Sequence, residues 1–378
     1  MDGVERTILV TGADGFIGRN LVVHLRERPG IKVQTFTRRD ELRSLREKVA
    51  SADAVVHLAG VNRPSDPADF ETENAGLTET LCNCLRAEKA GSGRSLPLIF
   101  TSSAQAGQDN PYGRSKLAAE EEVQALSIET AIPCSVFRLP GVFGKWCKPD
   151  YNSVVATFCH NIARNIPIRI DNPSSTIDLV YVDDVVEALI GALEAPPDGC
   201  RRLQVKPVYT VTVGHLADQI RAFEDGRRSL IVDRVGQGFV RALYATYISY
   251  LPGEFFSYEI PCHADSRGVF VEMLKTLDSG QISFFTARAG VTRGGHYHHS
   301  KTEKFLVING QALFRFRHLL TGEIVELSID GALPRIVDTI PGWAHDITNI
   351  GSEELVVMLW ANENFDRERP DTIISGVR

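Results

Sequence analysis

Apolar and polar positions alternate in two different ways along this 378-residue chain. Toward the amino end, short and nearly unbroken apolar runs are separated by stretches whose apolar residues recur every three or four positions. The runs are Thr7–Thr11, Val33–Thr37, Ala54–His57 and Leu96–Thr101. Runs of this kind suit strands buried on both faces of a parallel sheet, and the stretches between them read as amphipathic helices. Alternation of the two predicts a doubly wound α/β domain. From Phe255 onward the pattern changes. Runs rich in β-branched and aromatic residues recur every 8–15 positions: Val269–Leu274, Gln281–Ala287, Lys304–Ile308, Ala312–Arg317, Ile324–Ile329, Arg335–Asp338 and Leu355–Trp360. Gly, Asp, Asn and Pro separate them, which predicts a small antiparallel barrel with room for one ligand at its mouth. Residues 208–245 read as a strand and helices that close the first domain, and Leu251-Pro-Gly253 breaks the pattern. The expected domains are therefore 1–248 and 253–378.

Composition narrows the function. At 43% hydrophobic and 24% charged residues the chain is a folded protein, not a disordered one. A net charge of −7 excludes a nonspecific nucleic-acid binder, which needs excess Lys and Arg. The seven cysteines are odd in number, scattered and without a C-x-x-C pair, as expected of reduced thiols in the cytoplasm. Asp2, Glu5 and Arg6 lead into the first strand without an apolar leader, and no run of about 20 apolar residues follows. A cytoplasmic protein with no membrane span is expected.

Between the first strand and first helix stands Gly12-Ala-Asp-Gly15-Phe16-Ile17-Gly18. Glycines at a strand–turn–helix junction let the backbone approach a pyrophosphate, whose charge suits the helix N-terminus. Leu58 and Ala59 follow the third strand and are expected at the same cofactor. The second strand ends in Arg38-Arg39 where an acidic residue would bind the ribose hydroxyl of NAD. Arginine there accommodates the 2′-phosphate of NADP, so NADPH is the expected cofactor, with Arg19 able to assist. After the strand ending Ser102-Ser103 comes Tyr112-Gly-Arg-Ser-Lys116. On a helix, residues four apart share a face, and an ammonium near a phenol lowers its pKa toward general-acid chemistry. Ser103, Tyr112 and Lys116 are the candidate catalytic residues, with Ser103 positioned to hydrogen-bond a reacting carbonyl.

The second domain carries six of the ten histidines. In Gly290-Val-Thr-Arg-Gly-Gly-His296-Tyr-His298, side chains two apart on a strand share one face. A turn at Ser300–Thr302 would bring Glu303 to the same cavity, and Pro341-Gly-Trp-Ala-His345 supplies another imidazole. His296, His298, Glu303 and His345 form a first shell suited to zinc or another divalent ion.

These motifs resemble known families. Gly12/Gly15/Gly18, His57-Leu-Ala, Asn74, Ser103, Tyr112 and Lys116 resemble the extended short-chain dehydrogenase/reductases that act on nucleotide sugars, with a Rossmann-like fold. The likeness continues through Val136–Gly144 and Asp178–Val185. It implies that Tyr112 donates a proton, that Lys116 lowers its pKa and binds the nicotinamide ribose, and that Ser103 polarises the carbonyl. Ile177 stands where many relatives carry a diphosphate-binding arginine, leaving Lys145, Lys148, Arg164 and Arg169 as replacements. The loop after Ser103 lacks a tyrosine that many relatives have. The histidine segments resemble the two motifs of the cupin barrels, although Pro341 and Gly342 are adjacent here instead of separated. Asp265–Glu272 and Val291–Tyr297 resemble sugar-nucleotide 3,5-epimerases, where the residue matching His296 is the base; as alternatives His299, His318, Tyr297, Glu272 and Asp346 remain open. The whole chain, down to Trp360–Asp366 and Arg369-Pro-Asp-Thr, is similar to bifunctional reductase–cupin enzymes of capsular polysaccharide synthesis. That resemblance implies a UDP-sugar substrate, C-3 epimerisation in the cupin, C-4 reduction by NADPH and a homodimer.

Overall fold

The computed structural model describes residues 5–299, 301–368 and 370–377. Asp2, Ser300 of the expected turn, and Arg369 lie outside the described residues. Two compact units are present: Met1–Ile220 with Ala242–Leu251, and Arg221–Arg241 with Pro252–Arg378. A single crossing near residue 251 would assign 221–241 to the first unit. It joins the second because a short strand within it pairs there.

The first unit contains β1 (Arg6–Thr11), α1 (Phe16–Arg26), β2 (Ile31–Phe36), α2 (Ser44–Ala50), β3 (Ala54–His57), α3 (Leu77–Ser92), β4 (Leu98–Ser103), α4 (Pro111–Thr130), β5 (Cys134–Leu139), β6 (Gly141–Phe143), β7 (Thr176–Tyr181), β8 (Cys200–Leu203) and β9 (Tyr209–Thr212). The main sheet runs β2-β1-β3-β4-β5-β8 and every pairing in it is parallel. One apolar layer on each face buries it, one around Ile8, Val10, Leu21 and Leu189, the other around Leu9, Val55, Phe100 and Val123. This explains why its strands read as unbroken apolar runs. Strand order reverses between β1 and β3, so a crevice opens beyond their carboxyl ends, where such sheets bind ligands. Gly12, Leu58 and Ala59 occupy that place. The short strands β6, β7 and β9 form a separate sheet.

The second unit contains β10 (Ile231–Val232), β11 (Cys262–Asp265), β12 (Gly268–Thr276), β13 (Gln281–Ala287), β14 (Thr292–Tyr297), β15 (Glu303–Asn309), β16 (Gln311–His318), β17 (Ile324–Asp330), β18 (Ile336–Asp338), β19 (Trp343–Asn349), β20 (Leu355–Ala361) and β21 (Ile373–Ile374). A seven-stranded sheet follows the order β10-β12-β13-β20-β15-β18, with β11 beside β12. A five-stranded sheet runs β17-β16-β19-β14-β21. Apart from the parallel β10–β12 contact, the pairings are antiparallel. Phe285, Phe305, Val357 and Leu359 from the first sheet and Phe314, Phe316 and Ile347 from the second share one apolar core. The expected all-β region of antiparallel strands is thus present, and side-chain alternation directs one face of each sheet inward.

No helix among the described residues is long and apolar enough to cross a membrane.

Candidate active site and metal centre

The glycine turn is shaped for a close backbone approach. Gly12 has φ +69°, and a Cβ there would stand 2.6 Å from the Ala59 nitrogen. A Cβ on Gly18 would meet the Gly12 carbonyl at 2.2 Å, so α1 packs onto the turn only without a side chain there. The α1 N-cap, Gly15, offers no side-chain acceptor to the first-turn N–H groups. Free donors at a helix start suit a phosphate. Phe16 and Ile17 begin this helix, and Leu58 N–H donates to the Thr11 carbonyl at 3.2 Å. Arg38 and Arg39 lie just past β2 with largely exposed side chains, which make 3.9 Å ion pairs to Glu73 and Asp14. Arg19 is turned to the Asp14 carbonyl at 2.8 Å.

Asn110 caps α4, its Oδ1 accepting from Gly113 N–H at 2.8 Å, and Pro111 at the first position fixes where the helix starts. This sets Tyr112 and Lys116 on one face of α4. Ser103, the last residue of β4, is close enough to the Tyr112 phenol to favour its ionised form. Lys116 is 7% exposed, donates to the Thr101 carbonyl at 3.3 Å and lies over the Phe100 ring, 5.5 Å from its centroid. Burial lowers its pKa to about 8. The Tyr112 phenol is raised and not lowered as expected, and Lys116 is not among the groups that shift it. Burial raises the phenol, and the Ser103 hydroxyl offsets that only in part. The reason is solvation: a phenolate in this pocket loses more water than one hydroxyl replaces.

A buried relay that sequence reading missed ties these parts together. Thr11 Oγ1 lies 2.6 Å from His57 Nδ1, and His57 Nε2 lies 3.0 Å from Thr78 Oγ1. The Thr78 hydroxyl donates to the Asn74 carbonyl at 2.7 Å, so it must accept from His57 Nε2–H. The Asn74 side chain accepts from Val61 N–H at 2.8 Å and donates to Ser115 Oγ at 3.0 Å. The loop after β3 is thereby fastened to the turn of α4 that carries the tyrosine. Burial holds His57 neutral, its pKa lowered to about 3. Only the His57 and Asn74 positions were legible beforehand; the threonines carried no signal.

The four candidates for the diphosphate separate. Lys145 Nζ pairs with Asp183 at 2.5 Å, Arg164 donates to the Tyr250 carbonyl at 2.9 Å, and Arg169 pairs with Asp171 at 2.6 Å. Lys148 lies over the Tyr151 ring at 5.4 Å. Lys145 and Lys148 share the loop after β6, on the strand-end side that holds Ser103.

In the second unit His296, His298, Glu303 and His345 converge, with one ligand atom from each lying within 4.8 Å of the others. Gly294 and Gly295 adopt φ +88° and +79°, and a bulge between Gly294 and His296 interrupts the β14–β19 register. That bulge turns the strand so that His296 faces His345, ring centroids 4.7 Å apart. His298 lies one residue past β14, 5.0 Å from the His296 ring. Glu303 opens β15; its Oε2 is 3.2 Å from His298 Nε2 and 3.6 Å from His345 Nε2. Ligands 2.0–2.1 Å from a tetrahedral zinc stand about 3.3 Å apart, so the spacing fits a small divalent ion.

The donor chemistry fits as well. His298 Nδ1 hydrogen-bonds the Asp371 carbonyl, which can only accept, so Nδ1 carries a proton, and in the neutral ring Nε2 is the lone-pair nitrogen facing Glu303 Oε2. Among the described residues, neither nitrogen of the buried His345 has a hydrogen-bond partner. A cation between these atoms relieves both problems. Burial, with His345 and His298 nearby, lowers His296 to about 4 and keeps it neutral. Glu303 is held well below the carboxylate range by His298, His345 and the buried ammonium of Lys301, 2.9 Å from Oε1, despite opposing burial. Sequence reading missed Lys301.

The base candidates fare unequally. Asp346 points to the opposite side of β19 from His345 and is locked to Arg315 at 2.8 and 2.9 Å. Glu272 pairs with Lys275 at 3.0 Å, and His318 Nδ1 accepts from Leu320 and Thr321 N–H. Tyr297 and His299 stand edge to face, 5.4 Å apart, beside the cluster.

Residues 8–203 match the NAD dependent epimerase/dehydratase family, and residues 263–373 match the polysaccharide biosynthesis C-terminal domain. The chain is 56% identical over 98% of both sequences to the UDP-2-acetamido-2,6-beta-L-arabino-hexul-4-ose reductase of Pseudomonas aeruginosa. The capsular polysaccharide assembling protein CapF of Staphylococcus aureus superposes with a TM-score of 0.90 at 38% identity, covering 98% of this chain and 100% of that one. The UDP-glucuronic acid 4-epimerase of Bacillus cereus covers 58% of this chain and 84% of its own, with a TM-score of 0.51 at 20% identity, a likeness of fold alone. The chain belongs to the NAD dependent epimerase/dehydratase family, in the CapF-like group whose members continue into a polysaccharide biosynthesis C-terminal domain.

Proposed function

We propose that the chain is a bifunctional nucleotide-sugar enzyme acting on UDP-2-acetamido-2,6-dideoxy-L-arabino-4-hexulose. Its β unit, a cupin over about 253–378, inverts C-3; its α/β unit, about 1–248, reduces the C-4 ketone. The product is the UDP-6-deoxy-N-acetyl-L-talosamine precursor of UDP-N-acetyl-L-fucosamine. The observation that carries this reading is the convergence of Ser103, Tyr112 and Lys116 beside the glycine turn in a chain so similar to a named 4-keto UDP-sugar reductase.

The turn from Gly12 to Gly18, with Leu58 and Ala59, would hold the cofactor pyrophosphate, and the exposed Arg38 and Arg39 favour NADPH. NADPH, when bound, supplies the hydride for C-4. Ser103 orients the ketone oxygen and Tyr112 delivers a proton to that oxygen, while Lys116, four residues on along α4, would bind the nicotinamide ribose of the cofactor. In the β unit, His296, His298, Glu303 and His345 would hold one divalent ion, zinc being best suited to the donor set. Such an ion would supply positive charge for an oxyanion developing on the sugar. The 4-keto group acidifies the C-3 proton, so inversion precedes reduction. Tyr297 and His299, which stand on the segment that carries His296 and His298, are the bases favoured among those considered. A cytoplasmic homodimer completes the reading.

A second reading has its own support. Four protein ligands, three of them buried, form a closed shell of the kind structural zinc occupies. The barrel would then be structural and the enzyme a reductase alone. NMR of the 4-keto UDP-sugar in D₂O, with enzyme and no NADPH, separates the two. Deuterium entering C-3 is the expected result; its absence, with normal NADPH oxidation, leaves only the reductase. Tyr112→Phe is expected to slow NADPH oxidation about 10²- to 10⁴-fold while leaving that exchange intact.

A further inference from the structure

One residue far from the cluster in sequence touches the metal-centre loop three times. Asp371 lies two residues before β21, which pairs with β14 so that Ile373 is opposite Tyr297 and Ile374 opposite His296. Its carbonyl accepts from His298 Nδ1. Its carboxylate accepts on one oxygen from His299 N–H at 2.9 Å and on the other from Lys301 N–H at 2.8 Å. The same terminal segment reaches the loop elsewhere: Asn362 Oδ1 accepts from Thr302 N–H at 2.9 Å, and Phe365 faces the Lys301 ammonium at 5.9 Å.

We infer that Asp371 is a positioning residue for the metal centre, fixing both the loop between His298 and Glu303 and the tautomer with which His298 meets the ion. This rests on reading His296, His298, Glu303 and His345 as a metal site. The physical case has two parts. A loop joining two ligands a few residues apart must hold its ends within tenths of an ångström of their bound places, and two backbone N–H groups anchored on one carboxylate remove that freedom before binding. A carbonyl on Nδ1 selects the tautomer whose Nε2 lone pair is available, which would otherwise be chosen at a cost when the ion arrives. Groups of this kind, one step removed from the ion, change metal affinity about 10- to 100-fold when lost.

The test uses the full chain stripped of metal. Zinc affinity is measured by competition with a chromophoric chelator for wild type, Asp371→Ala, Asp371→Asn and Glu368→Ala, an exposed position in the same segment. Asp371→Ala is expected to weaken zinc binding about 10- to 100-fold. Asp371→Asn, which keeps one acceptor oxygen, should fall between it and wild type, and Glu368→Ala should match wild type. Nitrogen-15 NMR of the metal-free imidazoles should show a single Nδ1–H tautomer for His298 in wild type; Asp371→Ala keeps the backbone carbonyl but loses the two N–H anchors that hold it in place, so tautomer exchange should appear there. Affinity within twofold of wild type in Asp371→Ala, or an equal loss in Glu368→Ala, overturns the inference. So does a fall in the metal-free melting temperature in Asp371→Ala large enough to account for the lost affinity, since the residue would then be holding the barrel and not the loop. A wild-type protein that binds no zinc at all sinks the metal reading itself, a distinct result.

Discussion

Both units bury a lysine beside an aromatic ring, and the two lysines are treated in opposite ways. Lys116 faces the Thr101 carbonyl and the Phe100 ring and makes no ion pair among the described residues; burial lowers its pKa to about 8, with Glu120 opposing only in part. Lys301 is paired directly with Glu303, which in turn faces two imidazoles. The first arrangement leaves a cation whose proton is only loosely held near working pH. The second concentrates charge that offsets itself and keeps a carboxylate ionised. The first arrangement suits passing protons and the second suits holding a cation, and that contrast follows from whether a buried charge is given a counter-charge.

The contrast can be broken most severely at Glu303. Glu303→Gln removes a ligand and strands the buried Lys301 ammonium, so the β unit should lose about 3–5 kcal/mol and retain little zinc after dialysis. Thermal unfolding and metal content check this, and reductase turnover should survive, since its groups lie in the other unit. A stable, zinc-replete Glu303→Gln would refute the charge-holding role. Next in size is Thr78→Val, which leaves the His57 Nε2–H without its acceptor. A buried donor left unpaired costs about 1–3 kcal/mol, read as a lower melting temperature of the α/β unit with zinc content unchanged.

The pH dependence sharpens the other side. Because the folded pKa of Lys116 lies at about 8, below the ordinary lysine value, the ammonium is present below that pH and lost above it. The rate constant kcat/KM for ketone reduction should therefore fall about tenfold per unit above pH 8. Stability moves the other way: between the folded and unfolded pKa values the unfolded chain binds more protons, so this group's contribution rises with pH. A flat rate profile up to pH 10 would remove Lys116 from the chemistry. The smallest effect is expected at the exposed arginines, where replacing Arg38 and Arg39 with alanine should raise KM for NADPH about tenfold, the loss of about one charge-assisted hydrogen bond, and leave NADH unaffected.

Much of the fold was legible. Runs buried on both faces became the parallel sheet, and the seven β-rich runs after Phe255 each became strands, with Gln281–Ala287 matching β13 end to end. The glycine turn and the Tyr112–Lys116 spacing were legible because both are local: a few residues fix them. The four candidate ligands were legible for the same reason in part, since His296, His298 and Glu303 lie within one short segment. Less visible were contacts between residues that only register brings together. Asp371 and His298 are 73 positions apart and Thr11 and His57 are 46 apart, and nothing in the segments that hold Asp371, Thr11 and Thr78 announces those partners. The direction of the Tyr112 shift was misjudged because spacing reveals neighbours and not burial.

The sequence by itself determined the two architectures, the glycine turn, the Tyr112–Lys116 spacing and which side chains are candidate metal ligands, all of which are written in short-range patterns of hydrophobicity and residue type. Only the tertiary structure decided which of these groups keep their charge, which tautomer His298 adopts and which distant residue fixes the loop beside it. Those outcomes depend on how much water each group loses and what replaces it, and that is settled only when strands far apart in the chain pack together.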